Sequence, residues 1–416
     1  MKQSKKPQLR GGSVGQIKSE QRIRNFKIAW IGTFMAGMAF SEAMPFLALY
    51  IMKISHFNQA QVSFYAGISY AASYLVVILV SPIWGEIADR HGRKPMLLRT
   101  AAGMGIVIVI ILLSCVTNIW QIIILRLCQG LFDGYTPSVI ALIAAETPLE
   151  ERSVVISKLS TGYIIGGLMG PLIGGVLATI FSIRMTFFIT GIIFLCVAFI
   201  SFYGIKENFQ KISVSPTEKL ALSKKESVWT VPILILLSAT MLIQFVESAI
   251  IPFVSLIIKD LLFSEHYLTI MTGIVSALPG VATAVFATFV GKMSSHFGTL
   301  KILKLCELSA IIIYALLGMT TSLMFFAGLR FLIGIANAGM TSMIQVLLSK
   351  ASNRLSTVFS MSLSAQSLGS LAGSILGAYL SQFMPLNNLF YIASGALMIS
   401  YVLLKKGGLE NSTAPT

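Results

Sequence analysis

Acidic side chains inside long apolar stretches are the residues of this sequence most suited to chemistry. The chain has only 16 Asp and Glu among 416 residues, yet Glu42, Asp133 and Glu247 each lie deep within a hydrophobic run. A carboxyl group removed from water can take up and release a proton near neutral pH, and its charged form attracts cations. The sequence therefore predicts that these three acids bind protons, cationic ligands or both.

Arg126 is the basic residue that belongs with these acids, because it also lies inside an apolar run. A charge at that depth costs at least ~2.5 kcal/mol on insertion scales, so Arg126 must face a bundle interior or a wet cavity. Asp133 lies two turns further along on roughly the same face. Three interpretations stay open for Arg126: a coupling site, a permanent ion pair with Asp133, or an arginine that extends to the membrane surface. The acids could likewise be paired permanently with Arg126 or Arg330, or lie near an interface.

The elements that position these charges are long apolar runs. Hydrophobic residues make up 55% of the chain, charged residues 11%, and the mean hydropathy is +0.82. Soluble domains carry roughly 25% charged residues, which excludes that class. Runs of about 20 residues match the ~30 Å hydrocarbon core. The predicted fold is an all-α integral membrane protein with twelve transmembrane helices in two pseudo-symmetric six-helix bundles. The predicted spans are 28–52, 61–84, 96–116, 119–145, 155–180, 185–205, 229–258, 267–290, 301–320, 322–348, 356–381 and 386–404.

The distribution of positive charge predicts the orientation. The net charge is +15, and Lys and Arg concentrate in every second connection between apolar runs, which follows the positive-inside rule. Both termini are therefore expected in the cytoplasm, in a multi-pass protein of the bacterial cytoplasmic (inner) membrane. This distribution speaks against a nucleic-acid partner.

One connection is longer and more polar than the others, which predicts a division into two bundles joined by a linker. The terminal segments read as disordered. The predicted units are an N-terminal arm at 1–25, a bundle at 26–205, a cytoplasmic linker at 206–228, a second bundle at 229–405 and a cytoplasmic tail at 406–416.

The two halves resemble each other at nearly constant offsets. Pro45-Phe46 recurs as Pro252-Phe253, at an offset of 252 − 45 = 207. Three further matches follow in order, with offsets of 206, 204 and 203: Gly85/Gly92 with Gly291/Gly298, Arg126/Gly130 with Arg330/Gly334, and Gly166/Gly170/Gly174 with Gly369/Gly373/Gly377. This pattern indicates an internal duplication of the kind found in transporters, whose substrate site lies between the repeats near the bilayer midplane.

Two glycine-containing motifs carry most of the remaining information. The first comprises Gly85, Asp89, Arg90, Gly92 and Arg93, in a tight turn that needs the backbone freedom of Gly92. A basic loop that obeys topology alone is the plainer interpretation. In the second half Ser295 replaces the acid, and Thr299-Leu300 replaces the basic pair. The second copy of the motif has therefore decayed.

The second motif is Gly166, Gly170, Pro171 and Gly174 in span five. Glycines four apart share one helix face and allow backbones to approach closely, and Pro171 removes one backbone donor. The plainer interpretation is a close-packing surface with no bearing on transport direction.

Together these motifs resemble the major facilitator superfamily, and within it the drug:proton antiporters. The resemblance implies that the first motif forms a charge latch on the cytoplasmic side, that Arg126 takes part in proton movement, and that the span-five motif favours efflux. The function it implies is secondary active efflux of amphipathic drugs, such as dyes and fluoroquinolone-like compounds, coupled to proton influx. The expected partners are hydrophobic, often cationic small molecules, protons and the lipid bilayer, and the expected state is a monomer.

Two other functions stay open: transport of a physiological solute such as a sugar, amino acid or lipid intermediate, and a sensor or scaffold that transports nothing. Aromatic walls with few polar groups suit flat, often cationic ligands, although membrane aromatics more often face lipid. The candidate cavity residues are Phe46, Tyr50, Tyr163, Gln244, Phe245 and Phe253.

The sequence shows no constellation typical of an enzyme. It has no phosphate-binding GxxxxGK[ST] loop, its four His are scattered without metal-ligand spacing, and no nucleophile lies beside a base. We therefore expect no catalysis, cofactor or metal. Glu307, close to Lys304, reads as an ordinary residue of the membrane interface.

Overall fold

The protein is helical throughout the described residues of the computed structural model, which are 11–113, 118–147, 149–207, 230–262, 267–351 and 355–406. The helices of the first half are α1 Gly11–Ala43, α2 Leu47–Ile54, α3 Gln59–His91, α4 Arg93–Leu113, α5 Ile119–Phe132, α6 Tyr135–Glu146, α7 Leu149–Ile180 and α8 Ile183–Gly204. Those of the second half are α9 Val231–Ile250, α10 Val254–Leu261, α11 Leu268–Phe297, α12 Thr299–Gly318, α13 Leu323–Ala351, α14 Leu355–Leu380 and α15 Asn388–Lys406.

Length and hydropathy identify eight described stretches able to span a membrane. They are Glu20–Ile54, Gln59–Ser81, Lys158–Ile180, Ile183–Gly204, Val231–Leu261, Leu268–Phe297, Leu323–Ala351 and Asn388–Lys406. The segments α4, α5 with α6, α12 and α14 lie between these stretches along the chain. With these four, the described helices form the predicted twelve spans.

Three of the spans are interrupted, whereas the sequence analysis treats them as continuous. Short 3-10 turns at Met44–Phe46 and Ile251–Phe253 separate α1 from α2 and α9 from α10, each at a proline that cannot donate a backbone hydrogen bond. The predicted span 119–145 breaks at Asp133-Gly134, where Gly134 has φ +111°. Glycine tolerates this left-handed conformation, which most residues avoid.

The expectation that the arm at 1–25 is disordered is wrong for residues 11–25, which are helical and continue α1 back to Gly11. Residues 1–10, most of the predicted linker at 206–228 and the end of the tail lie outside the described residues.

The repeat predicted from the sequence is visible in how helices pack. Gly166 of α7 lies against the Phe34 carbonyl oxygen of α1, and Gly369 of α14 lies against the Met241 carbonyl oxygen of α9. The offsets are 369 − 166 = 203 and 241 − 34 = 207, the values found in the sequence for these spans. The same helix pair therefore builds each half.

The two halves contact each other through α3 with α14 and α7 with α11. We call the end of the molecule that carries the Gly92 and Gly298 turns the basic end, and the other the opposite end. Gly67 packs on Ala378, and Gly175 packs on Gly273, both towards the opposite end. A hydroxyl–hydroxyl hydrogen bond of 2.7 Å joins Thr179 to Thr269 there. These contacts close the opposite end between the halves.

Candidate functional site

A cavity of about 260 Å³ lies between the two halves, on the inner side of this closure. Helices α1, α3 and α7 supply one wall, and α9, α11, α12 and α13 supply the other. The side chains that the site uses are Phe40, Ser41, Met44, Pro45, Tyr70, Pro171, Glu247, Ser276, Tyr314, Arg330 and Asn337. The cavity lies where the sequence repeat predicts a substrate site.

Glu247 is the predicted acid that lines this cavity. It lies on α9, six residues before the turn at Phe253, and its carboxylate Oε1 accepts a 2.8 Å hydrogen bond from Asn337 Nδ2. Arg330 interacts with it electrostatically. A carboxylate held by one neutral donor keeps lone pairs available, so Glu247 can bind a proton or a cationic group.

Arg330 and Asn337 lie on α13 seven residues apart, which places them on one face two turns from each other, about 10 Å along the axis. Arg330 is only 8% exposed. Gly334 lies between them and packs on the Pro279 carbonyl oxygen of α11. This close approach brings Ser276 of α11 into the same cavity.

The first-half wall is mostly apolar. Phe40, Met44 and Pro45 come from α1 and its terminal turn, and Pro171 comes from α7. Tyr70 of α3 is the main polar side chain on this wall and is only 4% exposed. One wall thus suits an apolar surface of a ligand, while the other carries charge.

Arg126 lies outside this cavity and is satisfied by its own half. Its Nε donates to the Ser69 carbonyl oxygen at 3.1 Å, its Nη1 donates to Gln129 Oε1 at 2.7 Å, and its guanidinium lies 5.2 Å from the Tyr70 ring centroid. It lines a separate enclosed space of about 20 Å³, which Thr190 also lines. The interpretation as an arginine that extends to the membrane surface is wrong, because Arg126 is 5% exposed.

Asp133 ends α5 at the break in span four, and its carboxylate accepts a 2.6 Å hydrogen bond from the Gly134 N–H. It interacts electrostatically with Arg126, Tyr74 and Tyr163. Tyr74 also interacts with Glu247 and Ser370 of the second half. Asp133 is therefore placed near the junction of the halves.

Glu42 is fully buried inside the first bundle and does not line the cavity, although its chain neighbour Ser41 does. Its backbone and Cγ contact the position of Gly174 on α7. Within the described structure neither carboxylate oxygen has a hydrogen-bonding partner. Thr190 interacts with the Glu42 side chain, but its hydroxyl donates to the Thr186 carbonyl oxygen at 2.9 Å. The three acids thus do not share one chamber.

Glu307 is placed differently from the expectation of a membrane-interface residue. It is 0% exposed and its Oε1 accepts a 2.7 Å hydrogen bond from Ser400 on α15. The prediction failed because Glu307 lies about two turns into α12 and turns towards α15 rather than towards the helix end.

The predicted latch turn is present in its backbone. Gly92 has φ +98°, and its N–H donates to the Ala88 carbonyl oxygen at 3.0 Å. The side chains of Asp89 and Arg90, and the environment of Gly85, lie outside the described residues. The backbone N–H groups of Arg93 and Lys94 donate to the two carboxylate oxygens of Glu207, at 2.9 and 2.8 Å.

Glu207 was missed by sequence reasoning, since it follows α8 and is 114 residues from Arg93. Its carboxylate satisfies the first N–H groups of α4, where a negative charge is favoured. No local pattern in the sequence points to this contact.

The glycine motif of span five packs helices together. Gly166, Gly170 and Gly174 contact the backbone of α1, while Pro171 and Gly175 face Gly273 of α11. Close packing, the plainer interpretation, is what the structure displays. Pro171 also lines the cavity, so the motif connects the two bundles at the site.

The predicted aromatic residues lie mainly outside the cavity. Phe46 and Phe253 are 0% exposed and belong to the bundle cores, since the 3-10 turns direct them towards Gly174 and Gly377. Tyr50 packs on Phe187 at 5.5 Å. Phe245 contacts α14 through its backbone at Gly373. Tyr163 is 38% exposed and Gln244 is half-buried.

Sequence reasoning did not assign Asn337, Ser276 or Phe40 to the cavity. A signal existed for Asn337: the span-four offset of 204 relates Asp133 to position 337. The offset of 206 likewise relates Tyr70 to Ser276. In the described residues no cluster of three or more His, Cys, Asp or Glu could hold a metal ion.

Bacterial relatives match most of the chain. The Multidrug resistance protein MdtG of Escherichia coli strain SMS-3-5 is 33% identical over 385 residues, covering 91% of this chain and 93% of that protein. The protein of the same name from strain K12/DH10B gives the same identity and coverage.

Solved structures share the fold at low identity. The crystal structure of a bacterial homologue of the human lysosomal transporter Spinster, in an inward-facing unoccupied conformation, has a TM-score of 0.71 at 17% identity, covering 96% of this chain and 99% of that one. The human organic anion transporter MFSD10 has a TM-score of 0.68 at 16% identity, covering 92% and 99%.

The family profile of the Major Facilitator Superfamily matches residues 29–261 and 236–410. These two matches together cover nearly all of both halves. With the apolar helices and bacterial relatives, they identify a multi-pass inner-membrane transporter and not an enzyme. The chain belongs to the Major Facilitator Superfamily.

Proposed function

We propose that this protein exports amphipathic small molecules from the cytoplasm in exchange for protons that enter the cell. The observation that carries the proposal is Glu247, an intramembrane carboxylate that lines the cavity between the halves. Such a group binds a proton or the cationic part of a ligand, but not both at once. Competition for one carboxylate couples proton entry to drug exit.

The relatives support the class of substrate, since the MdtG proteins are named for multidrug resistance. The apolar wall of Phe40, Met44 and Pro45 supports it as well, because amphipathic drugs bury flat apolar surfaces. A single chain forms the whole cavity, so the proposed transporting unit is a monomer.

The basic connections support an orientation in which the basic end and both termini face the cytoplasm. In that orientation the closed opposite end faces outward, and the structure corresponds to an inward-facing state. Export then requires the α3–α14 and α7–α11 contacts to part while the basic end closes. The turn at Gly92, Arg93 and Glu207 belongs to the part that moves.

The test is dye flux in proteoliposomes of defined orientation under an imposed pH gradient. Wild type is expected to move ethidium against its gradient, and a protonophore should abolish this movement. Glu247→Gln keeps the size of the side chain and removes its charge, so gradient-driven flux should fall at least about tenfold. Undiminished flux by Glu247→Gln would contradict the proposed role of Glu247, and flux that ignores the pH gradient would contradict proton exchange.

A physiological solute remains the second candidate, favoured by the charged second-half wall with Glu247 and Arg330. Competition by sugars and amino acids against dye flux in the same vesicles separates the two candidates.

A further inference from the structure

We propose that the second-half wall of the cavity is a two-pole recognition site, which favours amphipathic zwitterions over simple cations. Arg330 and Ser276 bind the anionic or acceptor group of the ligand, and Glu247 and Asn337 bind its cationic or donor group. This inference rests on the proposed function and specifies the substrate class of the same site.

The first observation is a set of unpartnered polar atoms that line one cavity. Arg330 Nε, Ser276 Oγ and Asn337 Oδ1 are all buried and have no hydrogen-bonding partner within the described structure. Arg330 itself is 8% exposed. Buried polar groups are normally hydrogen-bonded, so three orphaned groups facing one space indicate a ligand that supplies the partners.

The second observation is the contrast between two arginines that the repeat relates. Arg126 and Arg330 correspond at the offset of 204, yet Arg126 is held by Gln129 and by the Ser69 carbonyl oxygen. The same offset relates Gln129 to Ile333, which has no polar group to offer. Position 333 therefore offers no acceptor of the kind that Gln129 gives Arg126 Nη1. The Nε of Arg330 also has no partner among the described residues, whereas the Nε of Arg126 donates to the Ser69 carbonyl oxygen, so Arg330 Nε stays available to a ligand.

The third observation is the partner of Glu247. Asn337, rather than Arg330, donates the hydrogen bond to its carboxylate, at 2.8 Å. Asn337 is thereby oriented with Nδ2 towards Glu247, which leaves its Oδ1 as an acceptor. An acidic group and an amide acceptor at this point favour a ligand that brings a cationic or N–H donor group.

The residues of the two poles are attached at different levels of the cavity wall. Arg330 and Asn337 lie two turns apart on one face of α13, about 10 Å along the helix axis. The Gly334 contact with Pro279 holds α11 and α13 together at this level, which places Ser276 beside the arginine pole. A simple cation satisfies only the Glu247 pole and leaves Arg330 Nε without a hydrogen-bond acceptor. A zwitterion of matching length satisfies both poles.

The test uses two dyes that differ at one group. Tetramethylrhodamine carries a carboxylate beside its cationic ring system at neutral pH, and tetramethylrhodamine methyl ester lacks that negative charge. Binding of each is measured by fluorescence anisotropy on the full chain in lipid nanodiscs, without a pH gradient. Wild type is expected to bind the acid about tenfold or more tightly than the ester, as a charge-assisted hydrogen bond to arginine provides.

Arg330→Gln is expected to remove this preference by weakening binding of the acid about tenfold while leaving binding of the ester within about twofold. Arg99→Gln is the matched control, because Arg99 packs on Trp84 at 3.6 Å outside the cavity, and it should keep the preference. If Arg330→Gln does not fold, Arg330→Lys should keep part of the preference, and Ser276→Ala should weaken acid binding alone.

Three results would overturn the proposal: equal or tighter binding of the ester by wild type, parallel loss of both dyes in Arg330→Gln, or loss of the preference in Arg99→Gln. Because binding is measured at equilibrium, its outcome is separate from that of the flux test. Transport without the acid preference would contradict the two-pole site but not the efflux proposal. An acid preference without transport would contradict the efflux proposal but not the two-pole site.

Discussion

At the scale of single residues, the two halves use related positions differently. Arg126 is fixed by Gln129 and Ser69, whereas the related Arg330 faces the cavity with Ser276 and Asn337. The position of Gln129 is taken by Ile333 in the second half, and Arg330 Nε has no partner among the described residues, whereas Arg126 Nε donates to the Ser69 carbonyl oxygen. In our proposal the first-half arginine is held by its own bundle and the second-half arginine binds the ligand.

Glu42 gives a residue-scale prediction because it is buried away from the cavity. We expect Glu42→Gln to leave equilibrium dye binding within about twofold, since the carboxylate does not line the site. We expect gradient-driven efflux to fall at least about tenfold, because the only change is the loss of a titratable group between α1 and α7. The two measurements are anisotropy in nanodiscs and flux in proteoliposomes.

Glu307→Gln is its control, another fully buried carboxyl that lies between α12 and α15. This variant should keep both binding and flux. Normal gradient-driven efflux by Glu42→Gln would show that Glu42 takes no part in coupling.

At the scale of elements, the pairing of α1 with α7 depends on glycine. Gly166 lies so close to the Phe34 carbonyl oxygen that an added Cβ would overlap it, whereas a Cβ at Gly167 would meet nothing within 4 Å. Substitutions at these two adjacent glycines therefore distinguish the effect of helix propensity from the effect of packing. The same pairing recurs between α9 and α14, so each bundle depends on one such face.

We expect Gly166→Ala to destabilise the protein by about 1–3 kcal/mol, the usual cost of overpacking. Gly167→Ala should be neutral or slightly stabilising, because alanine favours the helix over glycine. Thermal unfolding in detergent, followed by intrinsic fluorescence, compares the two directly. Equal midpoints for both variants would contradict the packing account of the motif.

At the scale of the whole molecule, the halves are closed at the opposite end, and the proposed export requires them to part there. Thr179 of α7 and Thr269 of α11 hydrogen-bond across this closure at 2.7 Å, close enough for a disulfide to replace the two hydroxyls. In a background without the native cysteines, Thr179→Cys with Thr269→Cys should crosslink. Flux should then be lost when the pair is oxidised and return on reduction.

The single variants Thr179→Cys and Thr269→Cys are the matched controls, because neither can form the crosslink. Both should keep flux under the same oxidation. Full flux by the oxidised Thr179–Thr269 pair would mean that the two halves need not separate at this point.

The sequence by itself determined the membrane fold, the twelve spans and the duplication, because these follow from apolar length and from residues repeated at constant offset. An apolar segment long enough to cross the lipid must satisfy its own backbone polar groups, and a helix does this. It also singled out Glu247, since a carboxylate in an apolar run is visible without coordinates.

Only the tertiary structure decided which charges share a space. Whether Glu42 or Glu247 reaches the cavity depends on how α1 and α9 rotate against their glycine-faced partners, and hydropathy carries no information on rotation within a bundle. The breaks at Pro45, Asp133 and Pro252 further change where neighbouring side chains lie. The Asn337–Glu247 and Glu207–Arg93 contacts join residues about 90 or more positions apart, and such pairings arise only when helices distant in the chain pack together.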